Sequence, residues 1–206
     1  MNRQSAILRT SLALATAALI CSTVLVITHR LTQPKIALQQ AAYLQSQLDA
    51  VLPATIYDND LSSDRIVLNT QELGSEADQF VWRARMNGKP VAAILTVTAP
   101  AGYNGPITLL VGVLTNGEIQ GVRVISHQET PGLGDAIEVE KSNWIRAFEQ
   151  HSLTSLNPGE WQVKKDGGVF EHFTGATVTP RAITAAIYRA LHYFDNNQDL
   201  LFASRH

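Results

Sequence analysis

The chain has 206 residues, of which 45% are hydrophobic and 17% are charged, and its formal net charge at pH 7 is −2. This length suffices for one sizeable domain with an additional segment, and the slightly negative charge gives no reason to expect a nucleic-acid partner. The one cysteine, Cys21, excludes an intramolecular disulfide and cannot by itself hold an iron–sulfur cluster.

An uncharged, largely apolar stretch covers residues 10–28 near the N-terminus. As a helix it spans about 29 Å, which matches the hydrocarbon core of a bilayer. Small residues that a signal peptidase could recognise lie inside this stretch and not after it, so we expect an uncleaved membrane anchor. Basic residues are nearly balanced on its two sides, and the free terminal amine favours residues 1–9 on the cytoplasmic side.

A second helical pattern follows this anchor. Pro34 separates the two segments, and apolar residues share one face of residues 35–52 until Pro53 ends the helix. We therefore expect residues 29–53 to form a linker helix and residues 54–206 to form one domain outside the cytoplasm.

This domain carries three patterns of paired strands. Two of them turn at Asn-Gly, a dipeptide that tolerates the positive φ angles of a tight hairpin, and the third turns at Asp-Gly-Gly. Together with a terminal helix, they predict an α+β domain in which antiparallel hairpins pack with helices. The predicted pairs are residues 80–86 with 91–97, residues 107–114 with 119–125, and residues 161–165 with 169–173.

The terminal helix has a clear start. Thr179 suits the N-cap and Pro180 the first helical position, and apolar residues then recur at helical spacing as far as Phe194. Thr177 therefore lies at a helix N-terminus, where free N–H groups and the helix dipole favour an anion by about 0.3–1 kcal/mol. By spacing alone, an ordinary capped helix is the simpler interpretation.

Four short motifs resemble those of one known family. Residues 174–177 (Thr-Gly-Ala-Thr) resemble the [S/T]GAT flavinylation motif of an FMN-binding domain, which the G subunit of Rnf electron-transport complexes shares with the C subunit of Na⁺-translocating NADH:quinone reductases. Residues 129–134 (Glu-Thr-Pro-Gly-Leu-Gly) resemble a second hallmark of that family. Residues 102–107 (Gly-Tyr-Asn-Gly-Pro-Ile) resemble a segment typical of the Rnf protein, and residues 165–168 resemble the family's turn before the flavinylation motif.

The resemblance implies that Thr177 carries FMN through a phosphoester bond. Backbone groups of residues 129–134 would then recognise the pyrimidine edge of the flavin, although an ordinary surface loop can have the same composition. Trp144 would stack on the isoalloxazine ring, or it serves as a core residue. Beside Thr177, the residues expected to form the cofactor site are Thr174, Gly175, Ala176, Val178, Glu129, Thr130, Gly132, Leu133 and Trp144. No metal site is expected, because the histidines lack the spacing of metal ligands.

The resemblance also implies an electron carrier in an inner-membrane complex, with its flavin domain in the periplasm. Such complexes move electrons between ferredoxin and NAD and couple this transfer to ion transport, so other membrane subunits and iron–sulfur or flavin subunits are implied partners. A separate flavin transferase would attach FMN, because an unassisted threonine hydroxyl is a poor nucleophile. Two alternatives stay open: the C subunit of a Na⁺-translocating NADH:quinone reductase, and a non-enzymatic membrane-anchored binding or scaffold module.

Overall fold

The computed structural model describes residues 3–203. The first two residues of the predicted N-terminal segment and the last three of the predicted domain lie outside the described residues. The chain divides into two compact units, Met1–Gln45 and Ser46–His206.

Helix α1 (Arg3–Val51) makes up the described part of the first unit and continues into the second. Pro34 lies inside this helix, so the break predicted there is wrong. Proline removes one backbone hydrogen bond, and the helix-forming residues on both sides maintain the remaining ones. The portion Ser11–Val51 is long and apolar enough to cross a membrane, and the side chains of its apolar window are exposed in this chain.

Five antiparallel strands form one sheet in the order β1-β2-β3-β4-β5. The α+β architecture and the two Asn-Gly hairpins are confirmed. Asn87 and Gly88 adopt φ angles of 51° and 76°, as a type I′ turn requires, whereas in the second hairpin the positive φ of 85° falls on Gly117. The strands are β1 (Arg65–Leu68), β2 (Gln79–Met86), β3 (Lys89–Ala99), β4 (Ile107–Leu114) and β5 (Ile119–Ser126).

The third predicted hairpin is wrong. In its place the chain forms a 3-10 helix, Lys164–Asp166, and a single parallel bridge between Val163 and Phe170. The cause is the close approach of Gly168 to the backbone of Gln162. A Cβ on Gly168 would lie only 2.0 Å from the carbonyl oxygen of Gln162. Because glycine allows this approach, the chain folds back on itself and does not continue as an extended strand.

The sheet is buried on both faces, as residues 92–97 of the central strand β3 are all buried. Helix α2 (Val178–Phe202) packs on one face against β3 and β4. On the other face, the end of α1 packs against Gly112 and Gly121, which are paired across β4 and β5. A Cβ on either glycine would lie within 2.6 Å of an atom of Val51. Two glycines in register thus let a helix approach the strands closely.

Helix α2 begins at Val178, so Thr179 is not its N-cap as predicted; Thr177 occupies that position. The hydroxyl of Thr179 instead donates a hydrogen bond to Glu129, a tertiary partner that replaces the capping interaction. Trp144 lies on a short 3-10 helix, Trp144–Phe148.

Candidate functional site

Three loops from distant parts of the chain meet around one pocket. We call them the tyrosine loop (residues 102–106, after β3), the glycine loop (residues 129–134, after β5) and the pre-helix turn (residues 174–177, before α2). The pocket is small and open, with a volume of about 150 Å³. Its lining residues are Tyr103, Glu129, Thr130, Leu133, Gly134, Gly175 and Ala176.

The pre-helix turn is held mainly by its own backbone. Phe173 and Ala176 form an isolated antiparallel bridge, and the Ala176 amide donates to the Phe173 carbonyl oxygen at 3.1 Å. Between them Gly175 adopts a φ of 86°, a conformation that side chains other than glycine rarely adopt. A Cβ on Gly175 would meet no atom within 4 Å, so this turn borders open space.

The three threonines of this region differ in the availability of their hydroxyls. Thr174 is exposed at the tip of the turn, and Thr179 is fully buried with its hydroxyl bonded to Glu129. Thr177 is half-buried at the N-cap of α2, and its side chain makes no capping hydrogen bond. The hydroxyl of Thr177 is therefore placed beside the unsatisfied amides of a long helix without being used to cap it.

A buried carboxylate connects two of these loops with the first turn of α2. Glu129 is 5% exposed, and its Oε1 accepts from the Asn104 amide of the tyrosine loop at 3.1 Å. Its Oε2 accepts the hydroxyl of Thr179 in the first turn of α2. The side chain of Asn104 adds a hydrogen bond from Nδ2 to the Thr130 Oγ1 at 2.9 Å.

A network of charged groups next to the glycine loop holds it in place. The Asp135 carboxylate accepts from the Gly132 amide at 2.8 Å and from Lys141 Nζ at 2.7 Å. Lys141 also donates to Glu138, whose Oε1 lies 2.9 Å from Nε2 of His127. The other ring nitrogen of His127, Nδ1, accepts from the Glu129 amide at 3.0 Å. These contacts thus link Lys141 to Glu129, which connects the glycine loop with the tyrosine loop and α2.

These contacts shift the pKa values of the acids. The hydrogen bond from Lys141 and then that from the Gly132 amide hold the pKa of Asp135 below its ordinary value. Lys141, and after it His127, lower the pKa of Glu138 in the same way. Both carboxylates are therefore ionised at neutral pH, when Asp135 binds the Gly132 amide and Glu138 binds Lys141 most strongly.

A second ion pair lies beside the start of α2. Arg181 donates from Nε and Nη2 to the Asp166 carboxylate at 2.5 and 2.7 Å. The pair lowers the pKa of Asp166 and raises that of Arg181, mainly through these hydrogen bonds. The turn before the flavinylation-like motif is thereby connected to the helix that follows it.

The structure brings together most of the residues singled out from sequence. Five of them line the pocket, and Gly132, Thr174, Thr177 and Val178 lie in or directly after the same loops. Trp144 is not among the lining residues; it is 8% exposed, donates from its indole nitrogen to the Glu171 carbonyl oxygen at 2.8 Å, and packs edge-on against Phe173. The five lining residues are Glu129, Thr130, Leu133, Gly175 and Ala176.

Sequence reasoning missed other members of the site. Tyr103 and Gly134 line the pocket, and Asn104, Thr179 and Lys141 hold its loops. The spacing of Glu138 and Lys141 was a detectable signal, because an acid three residues before a lysine can reach it across one helix-like turn. The Asn104 amide has no such signal, since its partner lies 25 residues away.

The residues present fit a flat, partly polar group such as FMN. Exposed apolar side chains border the pocket, with Tyr103 67% and Leu133 50% exposed, and the exposed Gly175 leaves backbone groups accessible. A pocket with apolar walls and a few polar groups is typical of cofactor sites. The helix N-terminus next to it suits a phosphate.

Comparison with known proteins gives close relatives over nearly the full chain. The G subunit of the ion-translocating oxidoreductase complex of Shewanella oneidensis is 44% identical over 197 residues, covering 95% of this chain and 93% of the relative. The protein of the same name from Vibrio atlanticus is 42% identical over 199 residues, covering 97% and 95%. The crystal structure of Shewanella oneidensis NqrC overlaps 73% of this chain and 74% of that chain with 22% identity and a TM-score of 0.46.

Two family models match separate parts of the chain. Residues 1–51 match the RnfG N-terminal region, and residues 102–192 match the FMN-binding domain, a segment that contains all three loops around the pocket. With these matches and relatives above 40% identity, the chain belongs to the family formed by the G subunits of ion-translocating oxidoreductase complexes.

Proposed function

We propose that this chain is a membrane-anchored electron carrier that holds FMN covalently, through a phosphoester to Thr177. The observation that carries the proposal is the position of this hydroxyl: it stands at the N-terminus of α2, unused as a cap, next to the pocket of the FMN-binding domain. FMN, when bound, supplies one- and two-electron exchange.

Thr177 is the best acceptor among the three nearby threonines. The Thr179 hydroxyl is buried and bonded to Glu129, so a bulky phosphate cannot reach it. Thr174 is exposed but lies before the glycine of the turn, farther along the chain from the free amides of α2. A phosphodiester at Thr177 keeps one negative charge, and these amides are suited to stabilise it.

Attachment requires a second protein. A threonine hydroxyl keeps its proton at neutral pH, and both oxygens of the nearby Glu129 carboxylate are occupied by other donors. A flavin transferase would therefore activate the hydroxyl and transfer FMN from FAD, forming the Thr177 Oγ–phosphorus bond and releasing AMP. A tethered flavin cannot be lost by dilution outside the cytoplasm.

The same proposal includes the kind of complex to which the chain belongs and the side of the membrane on which its flavin domain lies. Relatives named as subunits of an ion-translocating oxidoreductase complex support a role beside other membrane, iron–sulfur and flavin subunits. We propose that the complex moves electrons between ferredoxin and NAD, that α1 anchors the chain in the inner membrane, and that the flavin domain faces the periplasm. Neither NAD nor ferredoxin would bind to this chain itself.

The mass of the intact protein tests the proposal. Full-length chain produced with a flavin transferase should be heavier than the polypeptide by one FMN less one water, and its denatured gel band should fluoresce. Thr177→Ala should lose both signals, whereas Thr174→Ala, which removes the exposed hydroxyl, should keep them. An unmodified wild-type chain would contradict the covalent role and favour a binding or scaffold module. A fluorescent Thr177→Ala band would place the attachment elsewhere.

A further inference from the structure

We infer that Glu129 acts as a positioning residue that decides which threonine can be modified, because it removes Thr179 from use and holds the start of α2 against the pocket. We call the group formed by Glu129, the Thr179 hydroxyl and the Asn104 amide the carboxylate clasp. Its effect on the modified residue rests on the proposed function, whereas its effect on the helix start does not.

The clasp joins three segments that are far apart in sequence. Thr179 lies 50 residues after Glu129, and Asn104 lies 25 residues before it. Each oxygen of the carboxylate has its own donor, so the two hydrogen bonds fix the glycine loop against both neighbours. A buried side chain whose two carboxylate oxygens are both hydrogen-bonded has few accessible rotamers, so it connects the segments rigidly.

The carboxylate of the clasp is buried among neutral hydrogen-bond donors. In the described residues 3–203, no lysine, arginine or histidine side chain forms an ion pair with Glu129, although the residue is 5% exposed. A carboxylate buried with only neutral donors is unfavourable unless those donors are held in place. The Asn104 amide and the Thr179 hydroxyl are therefore constrained by the carboxylate, and they constrain it in turn.

Gly134 packs directly against the clasp. A Cβ on this glycine would lie 2.6 Å from Glu129 Oε2, 3.0 Å from Glu129 Cβ and 3.2 Å from Thr179 Oγ1. No positive φ is required there, so the absence of a side chain serves close packing and not backbone conformation. The last glycine of the Glu-Thr-Pro-Gly-Leu-Gly motif thus makes room for the hydrogen bond between its first residue and α2.

The clasp separates two chemically equivalent hydroxyls. Thr177 and Thr179 are two residues apart at the start of the same helix, yet one is half-buried and the other fully buried. Without Glu129, the Thr179 hydroxyl loses its partner, and the first turn of α2 loses its only side-chain bond to the glycine loop among the described residues. The start of α2 would then fray, and the position of Thr177 next to Ala176, which lines the pocket, would no longer be set.

Paired substitutions at Thr179 distinguish a hydrogen bond from packing. Thr179→Val keeps the volume and removes the hydroxyl, whereas Thr179→Ser keeps the hydroxyl and removes the methyl group. Amide hydrogen exchange of residues 174–183 should be measured in the full-length protein in detergent, without flavin. We expect exchange about tenfold faster in Thr179→Val and in Glu129→Ala, and near wild type in Thr179→Ser.

Thr184→Val is the matched control for this comparison. Its hydroxyl is also buried on α2, but it bonds to the Pro180 carbonyl oxygen within the helix. We expect exchange at residues 174–183 to rise less than twofold in this variant. Equal protection of Thr179→Val and wild type, or slower exchange in Thr179→Val than in Thr179→Ser, would contradict the inference that the clasp holds the start of α2.

A second readout concerns the acceptor itself. Unmodified protein is mixed with a flavin transferase and FAD, and the modified threonine is identified by peptide mass. Wild type and Thr179→Ser should be modified at Thr177 alone, while Glu129→Ala should be modified about tenfold more slowly or partly at Thr179. An unchanged rate and site in Glu129→Ala would overturn the role in selection. If wild type accepts no flavin, the proposed function fails, and the exchange measurement still decides whether the clasp holds the helix.

Discussion

The glycine loop and the pre-helix turn face the same pocket, but they are held in different ways. The glycine loop is anchored by side chains: a buried carboxylate joins it to two other segments, and a charged network beside it includes Asp135 and Lys141. The pre-helix turn depends on one backbone bridge and on the positive φ of Gly175, and its Thr174 side chain is exposed.

The two ways of holding the loops correspond to two different requirements of a cofactor site. A cofactor pocket needs a wall of fixed shape, which buried hydrogen bonds to charged groups provide. An acceptor that an enzyme must reach needs accessible backbone and a hydroxyl without a partner. Under the proposed function, the chain meets both needs by placing them on different loops, and Glu129 connects the glycine loop with the helix that follows the pre-helix turn.

The largest effect should come from removing the connection between the glycine loop and α2. Glu129→Ala leaves the Thr179 hydroxyl and the Asn104 amide buried without a partner, and we expect the free energy of unfolding to fall by about 3 kcal/mol. Chemical denaturation of the full-length protein in detergent measures this change. Glu140→Ala removes an acid that is not buried and should change it by less than about 0.5 kcal/mol. Similar losses in both variants would contradict the anchoring role.

A side chain at Gly134 should disturb the glycine loop without removing any polar group. Gly134→Ala forces a methyl group against the Glu129 carboxylate, and we expect a loss of about 2 kcal/mol in the free energy of unfolding. The control is Gly159→Ala, because a Cβ there meets no atom within 4 Å and no positive φ is required. If the two variants are equally stable, Gly134 does not pack as closely as described.

A substitution at Gly175 should affect the pre-helix turn through the backbone alone. Gly175→Ala has room for its methyl group but must keep a φ of 86°, so we expect a loss of about 1 kcal/mol. Gly175→Asn should cost less, because asparagine tolerates this region better than alanine. The same denaturation measurement ranks the pair, and a smaller loss for alanine would contradict a backbone cause.

Acid should weaken the glycine loop before the pre-helix turn. The folded pKa values of Asp135 and Glu138 are lowered, so their stabilisation is complete above their ordinary pKa values near 4 and is lost as the pH falls through the lower folded values. Amide exchange of residues 129–134 should therefore increase below about pH 4. Lys141→Ala removes the main cause of both shifts and should move this change toward higher pH. An unchanged midpoint in that variant would exclude Lys141 as the cause.

Local signals in the sequence accounted for much of the fold and for part of the site. The Asn-Gly turns, the apolar N-terminal stretch and the spacing of Ile183, Ile187 and Leu191 depend on neighbours in the chain, so they could be recognised without tertiary contacts. The pocket residues of the glycine loop and the pre-helix turn came from motifs. The third hairpin failed because Gly168 packs on Gln162, a contact that strand patterns do not encode.

By itself the sequence determined the apolar N-terminal helix, the antiparallel hairpins at Asn-Gly, the amphipathic α2 and the motif that contains Thr177, since each of these depends on interactions over a few residues. Only the tertiary structure decided that α2 begins at Val178, that Trp144 belongs to the core and that Glu129 joins two loops to α2. The physical reason is distance along the chain: a buried carboxylate takes whatever donors the fold brings to it, and those donors lie 25 and 50 residues away.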